Sequence, residues 1–298
     1  MRALITGGRG FVGKWLAEHL VEAGDDVVVI DHEVEITDAD AVNRAIDKAD
    51  PDAVYHLAAL THVGDSWQNP AAVLQVNAVG TFNVLSAARS RPTLPRVLLV
   101  SSSEVYGVVP EDRLPVGEDW PLAPVTPYAA SKVAAEYLGV QAHLAYGLPV
   151  VRVRPFNHIG PGQSATFAIS ALATRVVDAE RSGAKQIPVG NLSARRDLTD
   201  VRDVVRSYRA LVCDGTPGEV YNVCSGRAVA ISEVAERLLA AAGIDLELVV
   251  DPGLMRPVDV PVILGDASKL RSATRWALTY DLDTTLRDVL DYWRGQPA

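Results

Sequence analysis

The chain has 298 residues, 48% of them hydrophobic, enough to bury a substantial core in one large or two modest domains. Its formal net charge of −9 argues against nucleic acid or an anionic membrane surface as a partner, although local arginines can still grip a phosphate. Cys213 and Cys224 lack a Cys-x-x-Cys spacing, which argues against a disulfide framework or thiolate metal site and points to a reducing cytoplasm.

In chain order, the apolar run Ala3-Leu4-Ile5 comes first and is followed by Gly7-Gly8-Arg9-Gly10-Phe11-Val12-Gly13. Glycines in such a strand-turn-helix unit permit a tight turn, backbone approach to a pyrophosphate, and close packing of helix on strand. The free N–H groups and dipole of the helix N-terminus then favour the anion. Phe11, Val12, Trp15, Leu16 and Leu20 recur at helical spacing, and Gly24 supplies a stop. A second apolar run, Val27 to Ile30, ends in Asp31, at the spacing expected of the acid that binds an adenosine ribose. The chain enters its first strand without a signal-peptide pattern, and no apolar run is read as long enough for a bilayer, so no membrane segment is expected.

Further β-rich runs, Ala53 to Leu57, Val97 to Ser101, Val150 to Val153 and Val220 to Val223, alternate with helical patterns. This predicts an α/β fold with parallel strands, helices on both faces, and ligands beyond the carboxyl ends of the strands. After Arg154 the texture changes to Gly- and Pro-containing loops, Phe156 to Gln163 and Pro188 to Leu192, where a smaller lobe begins. Val201 to Val212 reads as a helix returning the chain to the first lobe. The expected division is 1–155 plus about 198–226 for the first lobe, and about 156–197 plus 227–298 for the second.

The chemistry converges on Tyr128-Ala129-Ala130-Ser131-Lys132, with Thr126 as N-cap and Pro127 in the first turn. Tyr128 and Lys132 fall on one helical face, where an ammonium is expected to lower the phenol pKa and suit it to proton transfer. Taken alone, such a pair is usually a packed ring and a solvated amine. Its place downstream of a dinucleotide turn and of Ser101-Ser102-Ser103-Glu104, which closes the Val97 strand, favours catalysis. His32, His56, His62 and His158 show no short metal-ligand spacing, so no metal is expected.

Gly7 to Gly13, Tyr55-His56-Leu57-Ala58-Ala59, Ser102 with Tyr106-Gly107, and Tyr128 with Lys132 together resemble the extended short-chain dehydrogenase/reductase family. The resemblance implies a Rossmann-type doubly wound parallel sheet with a smaller α/β lobe for a sugar nucleotide. It implies a catalytic trio of Ser102, Tyr128 and Lys132, with Glu104 as a further acid–base candidate. Gly7, Gly10, Phe11, Val12, Gly13, Asp31, Leu57, Ala58, Ala59, Tyr128, Lys132 and Pro155 would line the cofactor. Glu35-Ile36 fall where relatives approach the adenine, on a connection from Asp31 that is short for the family. Arg154 to Gln163, Val189 to Leu192, Arg195 to Val204, Tyr221 to Gly226 and Leu254 to Pro257 resemble the GDP-sugar branch of reductases and dehydratases.

On that likeness Ser103, Asn157, Asn191, Arg196 and Arg256 would meet the substrate, the two arginines through its diphosphate. Asp31 favours NAD(H), because a carboxylate repels an added 2′-phosphate, while Arg9 leaves NADP(H) open. The expected reaction is reduction of the C4 ketone of a GDP-4-keto-6-deoxyhexose. A 4-epimerase, a 4,6-dehydratase and a non-enzymatic dinucleotide sensor are the alternatives. The resemblance also implies a homodimer through a four-helix bundle, using the Tyr128 helix and the one around Val76 to Ala88.

Overall fold

The computed structural model describes residues 1–255 and 260–297. Six parallel strands form the main sheet: β1 (Arg2–Thr6), β2 (Asp26–Ile30), β3 (Ala53–His56), β4 (Arg96–Val100), β5 (Val150–Pro155) and β9 (Val220–Val223), in the order β2-β1-β3-β4-β5-β9. The chain leaves β1 toward β2 on one side and returns to pair β3 on the other. A topological switch point therefore lies between β1 and β3, where such sheets open a ligand crevice beyond their carboxyl ends.

Alternate strand residues feed two cores. Ile5, Tyr55, Leu98 and Val153 pack on one face with Leu16 and Leu20 of the Phe11–Glu22 helix and Tyr208 and Leu211 of the Val201–Asp214 helix. Leu4, Val54, Val97, Leu99 and Val150 pack on the other with Val42, Ile46, Val84 and Leu85. Strands buried on both faces read as continuous apolar runs, which is why they were visible in the sequence.

The second lobe holds a smaller sheet of β10 (Ala228–Ala230), β8 (Arg195–Asp200) and β12 (Val262–Ile263), with β6 (Asn157–Ile159) also paired to β8. A separate pair joins β7 (Gln186–Val189) to β11 (Glu247–Val250). The helices Ala168–Ser182, Ile231–Ala242 and Leu282–Arg294 close its core around Leu172, Val176, Val234, Leu238, Leu286 and Leu290. Two segments expected as loops thus contain strands; three residues in β6 are too few to show a period, and Pro188 disguises β7, where a two-stranded ribbon tolerates it. Leu270 and Trp276 join the first lobe's core, so the chain returns there once more near its end.

One expectation is corrected. The helix Pro70–Arg89 is, by length and composition, apolar enough to cross a membrane. Half of its apolar window is buried in the fold, and it buries Asn77, Thr81 and Asn83, each hydrogen-bonded. It is a layer helix of the first lobe. Its apolar character comes from packing on the sheet.

Candidate active site

The glycine turn is built for close approach. Gly7 has φ +69°, and a Cβ there would lie 2.8 Å from the amide nitrogen of Ala58; a Cβ on Gly13 would run into the Gly7 carbonyl oxygen. The turn after β1 and the Leu57-Ala58 segment after β3 therefore touch at the switch point, and the first turn of the helix packs against them. Gly10 is the N-cap of that helix and supplies no side-chain cap, leaving its leading N–H groups for an anion. These features fit a dinucleotide diphosphate. Phe11 stacks on His158 of the second lobe, ring centroids 6.1 Å apart, and Trp15 Nε1 donates to the Pro161 carbonyl at 3.0 Å, so Val12 and its neighbours lie on a helix clamped between lobes.

Asp31 follows β2 with its side chain only 7% exposed. Its carboxylate accepts from the backbone N–H of Arg9 at 2.8 Å and of His32 at 2.9 Å, which fixes it beside the glycine turn. Glu35 turns away, accepting from the N–H and hydroxyl of Thr37 at 3.1 and 2.8 Å. Ile36 is buried against Gly80, and its carbonyl accepts from Asn83 at 3.1 Å. Leu57, Ala58 and Ala59 are half-buried at the carboxyl end of β3, and Pro155 ends β5, buried.

Beneath this crevice runs a polar chain that motif reading missed. The Ala58 N–H donates to Thr6 Oγ1 at 3.2 Å, which lies 2.8 Å from His56 Nδ1; His56 Nε2 lies 2.9 Å from Thr81 Oγ1, which donates to the Asn77 carbonyl at 2.6 Å. Thr81 spends its proton on that carbonyl, so His56 must donate through Nε2 and accept from Thr6 through Nδ1. That is the neutral tautomer, and burial pushes the imidazole pKa down to about 3. Asn77 lies in a π-turn, Gln75–Val79, a local widening common at functional sites. Its carboxamide accepts from Leu60 N–H at 2.8 Å and donates to Ser131 Oγ at 2.9 Å, tying the loop after β3 to the Pro127–Tyr146 helix. An Asn in an apolar helix was the available signal.

Thr126 caps the Pro127–Tyr146 helix, accepting from Ala129 N–H at 3.0 Å. Tyr128 and Lys132 share its buried face. Burial, reinforced by the Glu104 charge and opposed by the nearby Ser102 hydroxyl, pushes the Tyr128 phenol up to about 12. The expected lowering by Lys132 is not found: Lys132 Nζ donates to the Val100 carbonyl at 2.9 Å, and burial lowers its own pKa to about 8. Desolvation sets the direction of both shifts, and neither group is among the causes of the other's. Ser102 also accepts from the Glu104 N–H at 3.2 Å. Ser103 and Glu104 line a recess with Tyr106, Phe156, Val260 and Ile263.

Of the substrate candidates, Ser103 belongs to this cluster, and the other described ones fall in the second lobe. Asn157 is exposed in β6. The Asn191 carboxamide accepts from the N–H and hydroxyl of Ser193 at 3.0 and 2.7 Å. Arg196 in β8 donates to the carbonyls of Arg195 and Val260 at 2.9 and 2.8 Å. Arg256 lies outside the described residues.

The family model described as GDP-mannose 4,6 dehydratase matches residues 31–289. A GDP-6-deoxy-D-mannose reductase of Pseudomonas aeruginosa is 37% identical, the match covering 99% of this chain and 98% of the relative. The solved structure of RMD from Pseudomonas aeruginosa complexed with NADPH superposes with a TM-score of 0.91 at 37% identity, over 99% of each chain. The UDP-glucose 4-epimerase of Thermus thermophilus, in complex with NAD, superposes at 0.89 with 30% identity, again over 99% of each. The chain belongs to the GDP-mannose 4,6-dehydratase family, within the extended short-chain dehydrogenase/reductases.

Proposed function

We propose that this enzyme reduces the C4 ketone of a GDP-4-keto-6-deoxyhexose to a GDP-6-deoxyhexose, such as GDP-rhamnose, with NADH or NADPH. The observation that carries the reading is a buried phenol, Tyr128, held protonated, sharing a helix face with Lys132 near the Ser102 hydroxyl at the dinucleotide crevice. The bound nicotinamide supplies the hydride. Tyr128 then gives its proton to the alkoxide developing at C4, while the Ser102 hydroxyl donates a hydrogen bond to the same oxygen. Lys132 spends one of its three N–H bonds on Val100 and keeps two for the nicotinamide ribose, and its charge steadies the tyrosinate that remains. The full-length likeness to a GDP-6-deoxy-D-mannose reductase supports the GDP-linked substrate.

A 4-epimerase is the second reading, supported by the likeness to the Thermus enzyme. Glu104 could also serve a dehydratase as base, but by the family resemblance Ser103 stands where many dehydratases place Asp. The test is incubation with GDP-4-keto-6-deoxy-mannose and NADH or NADPH. Stoichiometric oxidation of the reduced cofactor supports the reductase; interconversion of UDP- or GDP-hexoses with retained NAD⁺ and no net oxidation overturns it.

The pair state is part of this proposal. Phe82 on the Pro70–Arg89 helix and Tyr137 and Leu144 on the Pro127–Tyr146 helix are 49%, 60% and 77% exposed. Two copies meeting through these helices would bury an apolar stripe that a lone chain leaves wet. The double change Phe82→Glu and Tyr137→Glu should give a monomer by light scattering; an unchanged mass would remove the four-helix interface. The sparse cysteines, Cys213 and Cys224 without a Cys-x-x-Cys spacing, are the ground for proposing a reducing cytoplasm.

A further inference from the structure

Arg9, from the glycine turn, and the residues after β2 form a small anion seat. Glu33 sits in it. Its carboxylate accepts from Arg9 Nη1 at 2.7 Å, from Arg9 Nη2 at 3.3 Å, and from the backbone N–H of Asp31 at 3.2 Å. The two guanidinium bonds and one amide converge on a single anion in the fork geometry that also suits a phosphate. The seat adjoins Asp31, the position where an adenosine ribose is held in this fold.

We infer that Glu33 stands in for the 2′-phosphate of an adenosine ribose, and that this stand-in sets the balance between NADH and NADPH. The inference rests on the dinucleotide reading of the crevice and goes beyond it by naming the residue that decides the cofactor. Asp31 cannot do so alone. Its carboxylate is fixed by two backbone N–H groups and stays in place with either cofactor. Glu33 can leave, because its side chain and that of Arg9 are 43% and 64% exposed and such pairs are weak. With NADH the pair remains closed. With NADPH the phosphate takes the Arg9 fork, and the displaced Glu33 carboxylate remains close enough to repel it.

The test is the dissociation constant of each reduced cofactor, by calorimetry, for the full chain and three variants. Glu33→Gln should tighten NADPH by at least about threefold and move NADH by less than about twofold, since the charge opposing the phosphate is gone. Arg9→Gln should weaken NADPH by about tenfold, and the double variant should lose the gain, because the fork is what Glu33 releases. All these side chains are exposed, and unchanged melting temperatures would show that the fold is intact. If NADH and NADPH shift together in Glu33→Gln, or their ratio stays fixed, the stand-in is overturned while the crevice reading survives. If the unaltered chain binds neither cofactor, both fall.

Discussion

Tyr128 and Lys132 are moved in opposite directions by the same burial. The phenol rises to about 12 and the ammonium falls to about 8, so near neutrality both hold their protons. This suits a reduction, in which the phenol must begin protonated. Tyr128→Phe should cut kcat for ketone reduction by about 10²- to 10⁴-fold, the usual worth of a positioned acid, and leave the cofactor dissociation constant unchanged. A kcat within a fewfold of the parent would remove Tyr128 from the chemistry. Lys132 makes a stability prediction as well. Its folded pKa lies below its ordinary 10.5, so between about 8 and 10.5 the unfolded chain binds the proton that the folded chain has lost. Stability therefore rises with pH across that window, and the cost of the buried ammonium is fully present below it. Lys132→Met should stabilise the protein at pH 7 by roughly 1–3 kcal/mol in urea unfolding while abolishing reduction. A destabilised variant would mean that the bond to Val100 outweighs desolvation.

At the scale of elements, the Pro127–Tyr146 helix is anchored one turn beyond Lys132. Glu136 is buried there and accepts from Arg154 Nε at 3.1 Å and Nη2 at 2.5 Å, and from Arg152 at 3.3 Å, both arginines on β5. Arg154 also donates to Tyr106 Oη and the Glu118 carbonyl, each at 2.9 Å, and Tyr106 donates to Asn222 on β9 at 2.7 Å. Removing one partner leaves a buried charge uncompensated. Glu136→Ala should cost roughly 3–5 kcal/mol in urea unfolding, far more than the loss of an exposed pair. A cost below about 1 kcal/mol would show that water reaches the arginines.

This anchor also shows where sequence reading stops. The glycine turn, the capped Tyr128 helix and the strand leading to Ser102 were legible because each is a local pattern in the sequence. Glu136 with Arg154, His56 between Thr6 and Thr81, and Arg9 with Glu33 are bonds across the fold. Their members look ordinary until the sheet brings them together. In the second lobe β6 and β7 were read as loops because three residues, or a strand interrupted by Pro188, carry no periodic signal.

For the whole molecule, burial of neutral histidines sets the acid limit. His56 is lowered to about 3, and desolvation also lowers His19 and His158. Below the ordinary value near 6.5 the unfolded chain binds protons that the folded chain refuses, so stability is lost as pH falls through that window. His56 alone contributes a slope of up to about 1.4 kcal/mol per pH unit between roughly 6 and 3. The melting temperature should fall steadily from about pH 6.5 toward about 4, and His56→Gln should flatten the slope. An equally steep slope in that variant would move the acid sensitivity elsewhere.

The central claim is that a hydride reaches C4 of a GDP-linked keto sugar and stays there. The most direct measurement uses reduced cofactor deuterated at the transferable position of the nicotinamide, with GDP-4-keto-6-deoxy-mannose, and locates the label in the product by NMR. One deuterium at C4 of a GDP-6-deoxyhexose for each cofactor oxidised is the predicted result. Unlabelled product, or sugar interconverted at C4 with the cofactor still reduced, would contradict it.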